Sequence, residues 1–235
     1  MVYSFADFNI DINSNFGGIE KYCADYVTDN KADFSINVSL DDIEYERKVA
    51  DSDYSDRHLE ITAFYRKLAE IIPQKDAFVL HSALFDVDGD GVAFAAHSGT
   101  GKTTHMTLWQ QLLGDKMKIV NGDKPIIRFV DGIPYGYGTP WNGKERLGCN
   151  MRTTVKHICF IERDKENSCE GITQESIVDA IFNQVYMPKE PKSAMATMQL
   201  INKFMKSCKL WKIKCNMDIS AAKTAYNKIF LNKRS

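Results

Sequence analysis

The sequence predicts an α/β protein built around a phosphate-binding loop, and three observations support this prediction. First, residues 91–104, GVAFAAHSGTGKTT, pass from an apolar run into a glycine-containing loop. Second, a helical pattern over residues 105–113 follows directly, so the order is the strand, loop and helix of a P-loop. Third, short apolar runs bounded by turn residues lie on both sides of this unit, as expected for strands.

Composition and charge describe an ordinary folded protein. The chain has 235 residues, of which 44% are hydrophobic and 26% are charged. It can therefore bury a substantial core, as one large domain or as one domain with a smaller lobe. Its 30 basic residues against 31 acidic residues leave a formal charge of -1. This balance favours neither nucleic acid nor an anionic membrane as a partner.

We expect a cytoplasmic protein that does not cross a membrane. The first residues, MVYSFADF, lack the basic start and the continuous apolar stretch of a signal peptide. No apolar run approaches the length of a membrane span. The six cysteines are scattered, with neither a C-x-x-C pair nor metal-ligand spacing. We interpret them as reduced thiols.

The amino-terminal part is predicted to form a small lobe. Alternating apolar and polar residues predict strands over residues 3–12 and 33–40. The strongly charged stretch 41–56 is interpreted as a solvated surface or loop. We therefore predict a β-rich or α+β lobe over residues 1–56, either separate from the core or integrated with it, and a P-loop nucleotide-binding domain over residues 57–235.

The elements around the loop follow from periodicity and turn residues. Residues 58–72 have apolar side chains at helical spacing, and Pro73 ends this helix. The run 77–85 is predicted to be one strand, paired through an Asp-Gly turn with the strand that feeds the loop. This hairpin would place His81 on a strand beside the one that leads to the phosphates.

The later elements are predicted in the same way. They are a strand at 117–121, a hairpin over 126–137, a strand at 154–161, helices at 173–185 and 192–206, an edge strand at 210–215 and a last helix capped by Asp218. The sequence offers no candidate for chemistry after Arg152.

The loop itself is the first candidate site. Glycines let successive backbone N–H groups turn towards phosphate oxygens, and the N-terminus of the following helix favours an anion. Lys102 would lie along the β- and γ-phosphates, and the Thr103 hydroxyl would bind Mg²⁺. Ala96 replaces the usual first glycine and requires a negative φ. The alternative is a chance turn before a surface helix. The predicted nucleotide-binding residues are His97, Ser98, Gly99, Thr100, Gly101, Lys102, Thr103 and Thr104.

Two further segments contain candidate residues. Asp123 follows the strand after the loop helix, in the sequence NGDKP, where an acid suits a metal contact or a base for an acceptor hydroxyl. The alternative is an ordinary turn aspartate. The segment GTPWNGKER, residues 138–146, holds Lys144 and Arg146. These two would meet phosphate or acceptor, or belong to a surface loop anchored by Trp141.

These motifs resemble a known family. Residues 81–104, HSALFDVDGDGVAFAAHSGTGKTT, resemble HPr kinase/phosphorylase, and the SGTGKTT core is also similar to the loop of ATP-dependent phosphoenolpyruvate carboxykinase. The stretches HMTLW and GTPWNGK resemble a small bacterial branch of kinase-like proteins in this superfamily. The resemblance covers residues 77–165. It implies a mixed β-sheet P-loop kinase core of the phosphoenolpyruvate carboxykinase and HPr kinase type.

The resemblance also implies roles for single residues. Lys102 and Thr103 would bind phosphate and Mg²⁺, and Asp123 would contact the metal or act as a general base. His81 would lie near the phosphoryl acceptor, although a lone histidine on an apolar strand is otherwise a core residue.

The family pattern leaves two questions about catalysis. Arg128, Arg146 and Arg152 are all candidates for the arginine that stabilises the transition state. Gly122 stands where the family usually has the first aspartate of an acidic pair. The loss of that carboxylate bears on catalysis more than on nucleotide binding.

The leading functional prediction is an ATP- and Mg²⁺-dependent phosphotransferase. It would move the γ-phosphoryl group of ATP to a hydroxyl on an unidentified acceptor, such as a serine of a protein or peptide. The alternative is a nucleotide-binding module without transferase activity. Carboxykinase chemistry ranks last, because the chain is short for the substrate domain of those enzymes.

Overall fold

A computed structural model describes residues 1–97 and 99–231 and has a mixed α/β fold. The strands are β1 (Val2–Phe5), β2 (Phe8–Asn13), β3 (Phe34–Asn37), β4 (Ala77–Val79), β5 (Ser82–Val87), β6 (Asp90–Ala95), β7 (Met117–Asn121), β8 (Ile126–Val130), β9 (Ile133–Tyr137), β10 (Arg152–Arg163), β11 (Ser168–Gly171) and β12 (Lys209–Cys215). The α-helices are α1 (Gly18–Tyr22), α2 (Leu40–Val49), α3 (Asp56–Ile71), α4 (Lys102–Leu113), α5 (Val178–Phe182), α6 (Pro191–Ser207) and α7 (Ile219–Tyr226).

The larger sheet combines antiparallel and parallel pairing. Its order is β4-β8-β9-β10-β6-β5-β7, and β12 joins β10 and β11. Pairing is antiparallel from β4 to β10 and among β6, β5 and β7, whereas β10 is parallel to both β6 and β12. The two predicted hairpins, β5–β6 and β8–β9, are confirmed. The sheet is therefore mixed, as expected.

The predicted strand over residues 77–85 is wrong in one respect, because it divides into β4 and β5. The backbone N–H groups at the break turn to other segments: Leu80 donates to Pro125 O (3.1 Å), His81 to Gln184 O (2.6 Å) and Ser82 to Asp123 O (2.9 Å). His81 therefore lies between two strands and not within one.

A small sheet of β1, β2 and β3 forms the amino-terminal part. The single strand predicted over residues 3–12 is two strands, because Ala6 and Asp7 adopt left-handed backbone conformations (φ 52° and 58°) and turn the chain into a hairpin. Strand β3 agrees with the prediction and pairs parallel to β2.

The charged stretch predicted as a loop contains a helix, α2. Ser39 and Asp42 form a capping box at its start. Arg66 of α3 binds Asp42 (3.1 Å) and Glu46 (2.5 Å) on α2, so the charges pair between the two helices. Helix α3 matches its prediction, with Ser55 as its cap.

The carboxyl-terminal elements agree with the predictions only in part. The helix predicted over 173–185 is reduced to α5, because the chain turns before it and Val185 forms a β-bridge with Leu80. Strand β12 is not an edge strand, since β11 covers its other side. Helices α6 and α7 are confirmed, the second with Asp218 as its cap.

Buried side chains form three clusters. One combines the small sheet with α3 and reaches Trp141. The other two lie on opposite faces of the larger sheet, because alternate residues of β5, β6 and β10 point to opposite sides. Helices α5 and α6 cover one face, and α4 and α7 cover the other. Of the helices within residues 1–97 and 99–231, none is both long and apolar enough to cross a bilayer.

Candidate active site

The phosphate loop connects the end of β6 to the start of α4. Gly99 and Gly101 have φ of +76° and +114°, conformations that other residues adopt only with strain. Ala96 has no positive φ, so alanine is accommodated there as predicted. The Thr100 N–H donates to His97 O (3.2 Å) and closes the turn. The prediction for Ser98 falls outside the described residues.

Lys102 is the first residue of α4 and is 8% exposed. Its ammonium group donates to Ala96 O (2.9 Å), which folds the side chain back over the loop. Burial lowers the pKa of Lys102, and the negative charge of Asp123 partly opposes that effect. A phosphate bound beside it would restore a charge partner to this buried ammonium group.

The loop forms one wall of a cleft of about 820 Å³. The other walls come from segments that are distant in sequence. The lining consists of residues 99–105, His81, residues 122–124, residues 143–145, Arg163, Asp164 and residues 215–217. The fold thus brings together the predicted Lys102, Thr103, Thr104, His81 and Asp123, and the candidate Lys144 lines the same cleft.

Asp123 lies on the wall opposite the loop. Its Oδ1 is 3.2 Å from His81 Nε2, and its Oδ2 is 2.5 Å from Lys124 Nζ. Burial alone would raise the pKa of Asp123, but hydrogen bonds from His81 and Lys124 outweigh it and hold this pKa well below its ordinary value. The carboxylate is therefore ionised at neutral pH.

A buried asparagine fixes the turn that carries Asp123. Asn121, at the end of β7, accepts hydrogen bonds from the N–H groups of Asp123 (2.9 Å) and Lys124 (2.7 Å). Its amide nitrogen donates to Thr139 O (3.1 Å) and Thr139 Oγ1 (3.0 Å). The turn is thereby tied to the segment after β9, and the direction of the Asp123 side chain is set.

Gly122 is required by packing. A Cβ at this position would lie 2.8 Å from Asn142 O and 3.1 Å from Leu147 O. The Gly122 N–H itself donates to Leu147 O (2.8 Å). An aspartate cannot occupy this position unless the backbone of residues 142–147 moves, so the missing carboxylate follows from the way this loop covers the turn.

His81 lies outside the strands and is held in place by contacts with a distant segment of the chain. Its backbone N–H donates to Gln184 O. With its amide nitrogen facing inward, the Gln184 side chain donates to Ala96 O (2.9 Å) and lies 3.3 Å from His81 Nδ1. The other ring nitrogen is then directed at Asp123. Gln184 thus connects the end of the loop strand to the histidine, and no sequence motif indicated it.

None of the three predicted arginines lines the cleft. Arg128 donates to Ala6 O (2.7 Å) and stacks on Phe8, so it joins the larger sheet to the small one. Arg152 pairs with Asp7 (2.7 Å) and likewise joins the larger sheet to the small one. Arg146 is exposed and faces a different cavity. None of the three faces the cleft in this structure, and a role for any of them in the transition state stays a prediction.

Arg163, at the end of β10, occupies the cleft instead. Its guanidinium group donates to Thr100 O (Nε, 3.0 Å) and to Gly99 O (Nη2). The expectation that no candidate lies beyond Arg152 is therefore wrong. Strand β10 runs parallel to β6, and ligands of α/β sheets bind at the carboxyl ends of parallel strands. If the parallel pairing of β10 with β6 had been known from the sequence, this rule would have indicated Arg163.

The oxygen donors fit Mg²⁺ held together with phosphates. Thr103 supplies a hydroxyl and Asp123 a carboxylate on the same cleft. Among residues 1–97 and 99–231, no group of three or more His, Cys, Asp or Glu side chains could hold an ion alone. Mg²⁺ commonly binds through one or two protein oxygens plus substrate phosphates.

Comparison with solved structures gives weak similarity in fold. The chain is similar to the Hpr(Ser) kinase/phosphatase from Coxiella burnetii, with 11% sequence identity and a TM-score of 0.29. The match covers 55% of this chain and 91% of that chain. No protein-family model and no curated protein matches the sequence. A likeness this weak carries no argument about activity.

Proposed function

We propose that this protein is an ATP- and Mg²⁺-dependent phosphotransferase with a P-loop kinase core of the HPr kinase and carboxykinase kind. One observation carries the proposal: the buried Lys102 of a phosphate loop and the ionised Asp123, paired with His81, face the same cleft. Phosphoryl transfer depends mostly on positioning and on charge neutralisation. The cleft supplies residues for both.

Nucleotide phosphates would bind at the loop and the first turn of α4. The N–H groups of residues 99–103 and the ammonium group of Lys102 would contact the phosphate oxygens. Mg²⁺, held by Thr103 and the phosphates, would neutralise charge on the transferred group. Arg163 donates hydrogen bonds to the carbonyl groups of Gly99 and Thr100, which would keep them turned away from the phosphates.

Asp123 would orient the acceptor. Its carboxylate accepts a hydrogen bond from the acceptor hydroxyl, whose oxygen forms a bond to the γ-phosphorus as the bond to the β,γ-bridging oxygen breaks. The hydroxyl proton passes to Asp123, and ADP leaves. The lowered pKa keeps Asp123 ionised, so its carboxylate is able to accept this hydrogen bond and orient the hydroxyl. His81 and Lys124 hold the carboxylate in place.

Two variants test the proposal with γ-labelled ATP, Mg²⁺ and a cell lysate as the source of acceptor. Asp123→Asn should lower transfer by about 10²–10⁴-fold while ATP affinity changes little. Lys102→Met should weaken ATP binding and transfer together, because it removes the buried phosphate contact. Binding is measured by calorimetry and transfer by the label recovered in acceptor.

A matched control is Lys206→Met, which changes an exposed lysine in the last turn of α6. It should leave both quantities unchanged. Wild-type transfer rates in Asp123→Asn would reject the role of this residue. Wild-type ATP binding in Lys102→Met would reject the assignment of the loop.

The nucleotide-binding module remains a second candidate, and Gly122 is the observation that favours it. Because this position cannot take a carboxylate, the turn offers one acid where the family pattern has two. Tight ATP binding without label in any lysate component, compared with a reaction that lacks the protein, would select the module.

A further inference from the structure

A second cavity, of about 480 Å³, lies beside the cleft. It is enclosed by α1 and the turn after it, the first residues of α3, and the segment 140–150. Its volume lies within the range of sites for small molecules. Gly143 lines both this cavity and the cleft, so the two adjoin at this residue.

The lining of this second cavity is rich in positive charge. Lys21, Arg57 and Arg146 contribute cations, whereas Asp25 contributes the single lining carboxylate among the described residues. In the described part of the chain, no carboxylate pairs with any of these three cations within 4.0 Å. Clustered cations without acidic partners raise the local potential and favour an anionic ligand.

The two cavities adjoin close to the catalytic carboxylate. A Cβ on Gly143 would lie 3.4 Å from the Cβ of Asp123. Tyr22 lines the second cavity, where burial raises its pKa to about 12, with a smaller opposing effect from Arg146 and a raising effect from Asp123. Tyr22 thus lies within electrostatic reach of both Arg146 and Asp123.

We propose that this second cavity, which we name the anion pocket after Lys21, Arg57 and Arg146, binds the phosphoryl acceptor through a phosphate or carboxylate group. The acceptor is then a small hydroxy compound that carries an anion. Its hydroxyl extends past Gly143 to Asp123, where oxygen bonds to the γ-phosphorus, the bond to the bridging oxygen breaks, Asp123 takes the proton and ADP leaves. This inference rests on the proposed function and specifies its substrate class.

The test is an NMR titration of the ¹⁵N-labelled full chain in ADP and Mg²⁺. Three probes are added in turn: glycerol 3-phosphate, D-glycerate and uncharged glycerol. A phosphate or carboxylate site should move the amide signals of Gly17 and Gly148, which line the anion pocket, while glycerol at the same concentration leaves them in place. Comparison of the two anionic probes shows which anion is bound.

Variants assign the shifts to the pocket. Arg146→Gln should weaken binding of the anionic probe about tenfold or more, as expected for a lost hydrogen bond to a charged group. Arg47→Gln makes the same change on α2, away from both cavities, and should bind like wild type. The spectra of both variants also show whether each has folded.

Three results would overturn the inference: no shift with either anionic probe, an equal shift with glycerol, or unchanged affinity in Arg146→Gln. The amides of Gly99 and Gly101 report nucleotide binding separately. Their failure to respond to ADP would count against the proposed phosphotransferase, whereas silence at Gly17 and Gly148 alone would count against the anion pocket.

Discussion

The two walls of the cleft are built in different ways. The phosphate-loop wall is local, since β6, the loop and α4 are continuous, and its key contact joins Lys102 to Ala96, six residues away. The acid wall is assembled from distant segments: Asp123 contacts His81, and the turn that carries it is tied to Thr139. The loop that we propose to bind phosphate is thus encoded in one short motif, whereas placement of the acid depends on long-range packing.

One contact makes the loop wall less local than its motif. Arg163 reaches the carbonyl groups of Gly99 and Thr100 from 63 to 64 residues away. These hydrogen bonds from Arg163 help to hold the shape of the loop, whereas the motif residues themselves are all local in sequence. Substitutions in the acid wall should therefore disturb the fold most, and substitutions of the loop anchor should disturb ligand affinity.

The largest effect on stability is expected for Gly122→Asp, which supplies the acid that the family pattern has at this position. The new Cβ meets the carbonyl oxygens of Asn142 and Leu147, so the free energy of unfolding should fall by about 3 kcal/mol, the upper part of the overpacking range. Urea denaturation measures this change.

Gly171→Ala is the control for that substitution, because a Cβ there meets only the Trp211 ring at 3.9 Å and should be nearly neutral. Wild-type stability in Gly122→Asp, together with higher transfer, would mean that the loop over the turn moves aside. The acid wall would then tolerate a substitution as well as the phosphate-loop wall does.

The next effect concerns pH and His105, in the first turn of α4. Burial lowers the pKa of His105 to about 4, below an ordinary value of about 6.5 in the unfolded chain. Between these values the unfolded chain binds the extra proton, so stability is present above about pH 6.5 and decreases as the pH falls. At pH 5 the loss relative to pH 7 should be about 2 kcal/mol.

Denaturation of His105→Gln at both pH values tests this prediction. The variant should lose less stability than wild type between pH 7 and pH 5, by about those 2 kcal/mol. His58→Gln, at an exposed position on α3, should keep the wild-type slope. An unchanged slope in His105→Gln would show that His105 does not resist protonation in the folded protein.

The smallest effect is expected for Arg163→Met, which removes the anchor from the loop wall. Two hydrogen bonds to loop carbonyl groups are lost at a site open to solvent, so ATP affinity should fall about fivefold, as for roughly 1 kcal/mol, with little change in melting temperature. Arg152→Met, outside the cleft, is the comparison for calorimetry. A loss of affinity as large as that of Lys102→Met would mean that Arg163 contacts the nucleotide itself.

Local patterns predicted most of the elements correctly. Helix α3, α6 and α7, both hairpins and the loop with its helix follow from periodicity, caps and turn residues, which act over a few positions. Helix α2 was missed because its charges look solvated in sequence. In the fold they pair with Arg66 of α3, a partner that periodicity cannot identify.

The candidate site was predicted in the same uneven way. The sequence indicated Lys102, Thr103 and Asp123, because each belongs to a short motif. Its three candidate arginines lie outside the cleft, since the position of an arginine relative to the cleft depends on strand order. Arg163 lies at the loop only because β10 pairs parallel to β6.

The sequence by itself determined the strand, glycine loop and helix of a P-loop motif, because glycines, a lysine and a helix start act through the local backbone and need no distant partner. The sequence also indicated Asp123 and His81. Tertiary structure alone brought them to the same cleft as the loop and decided which arginine contacts the loop. It also decided that Gly122 cannot be an aspartate, since two carbonyl groups of a later loop occupy the space. Such contacts join segments that have no shared pattern in sequence, and only chain packing brings them together.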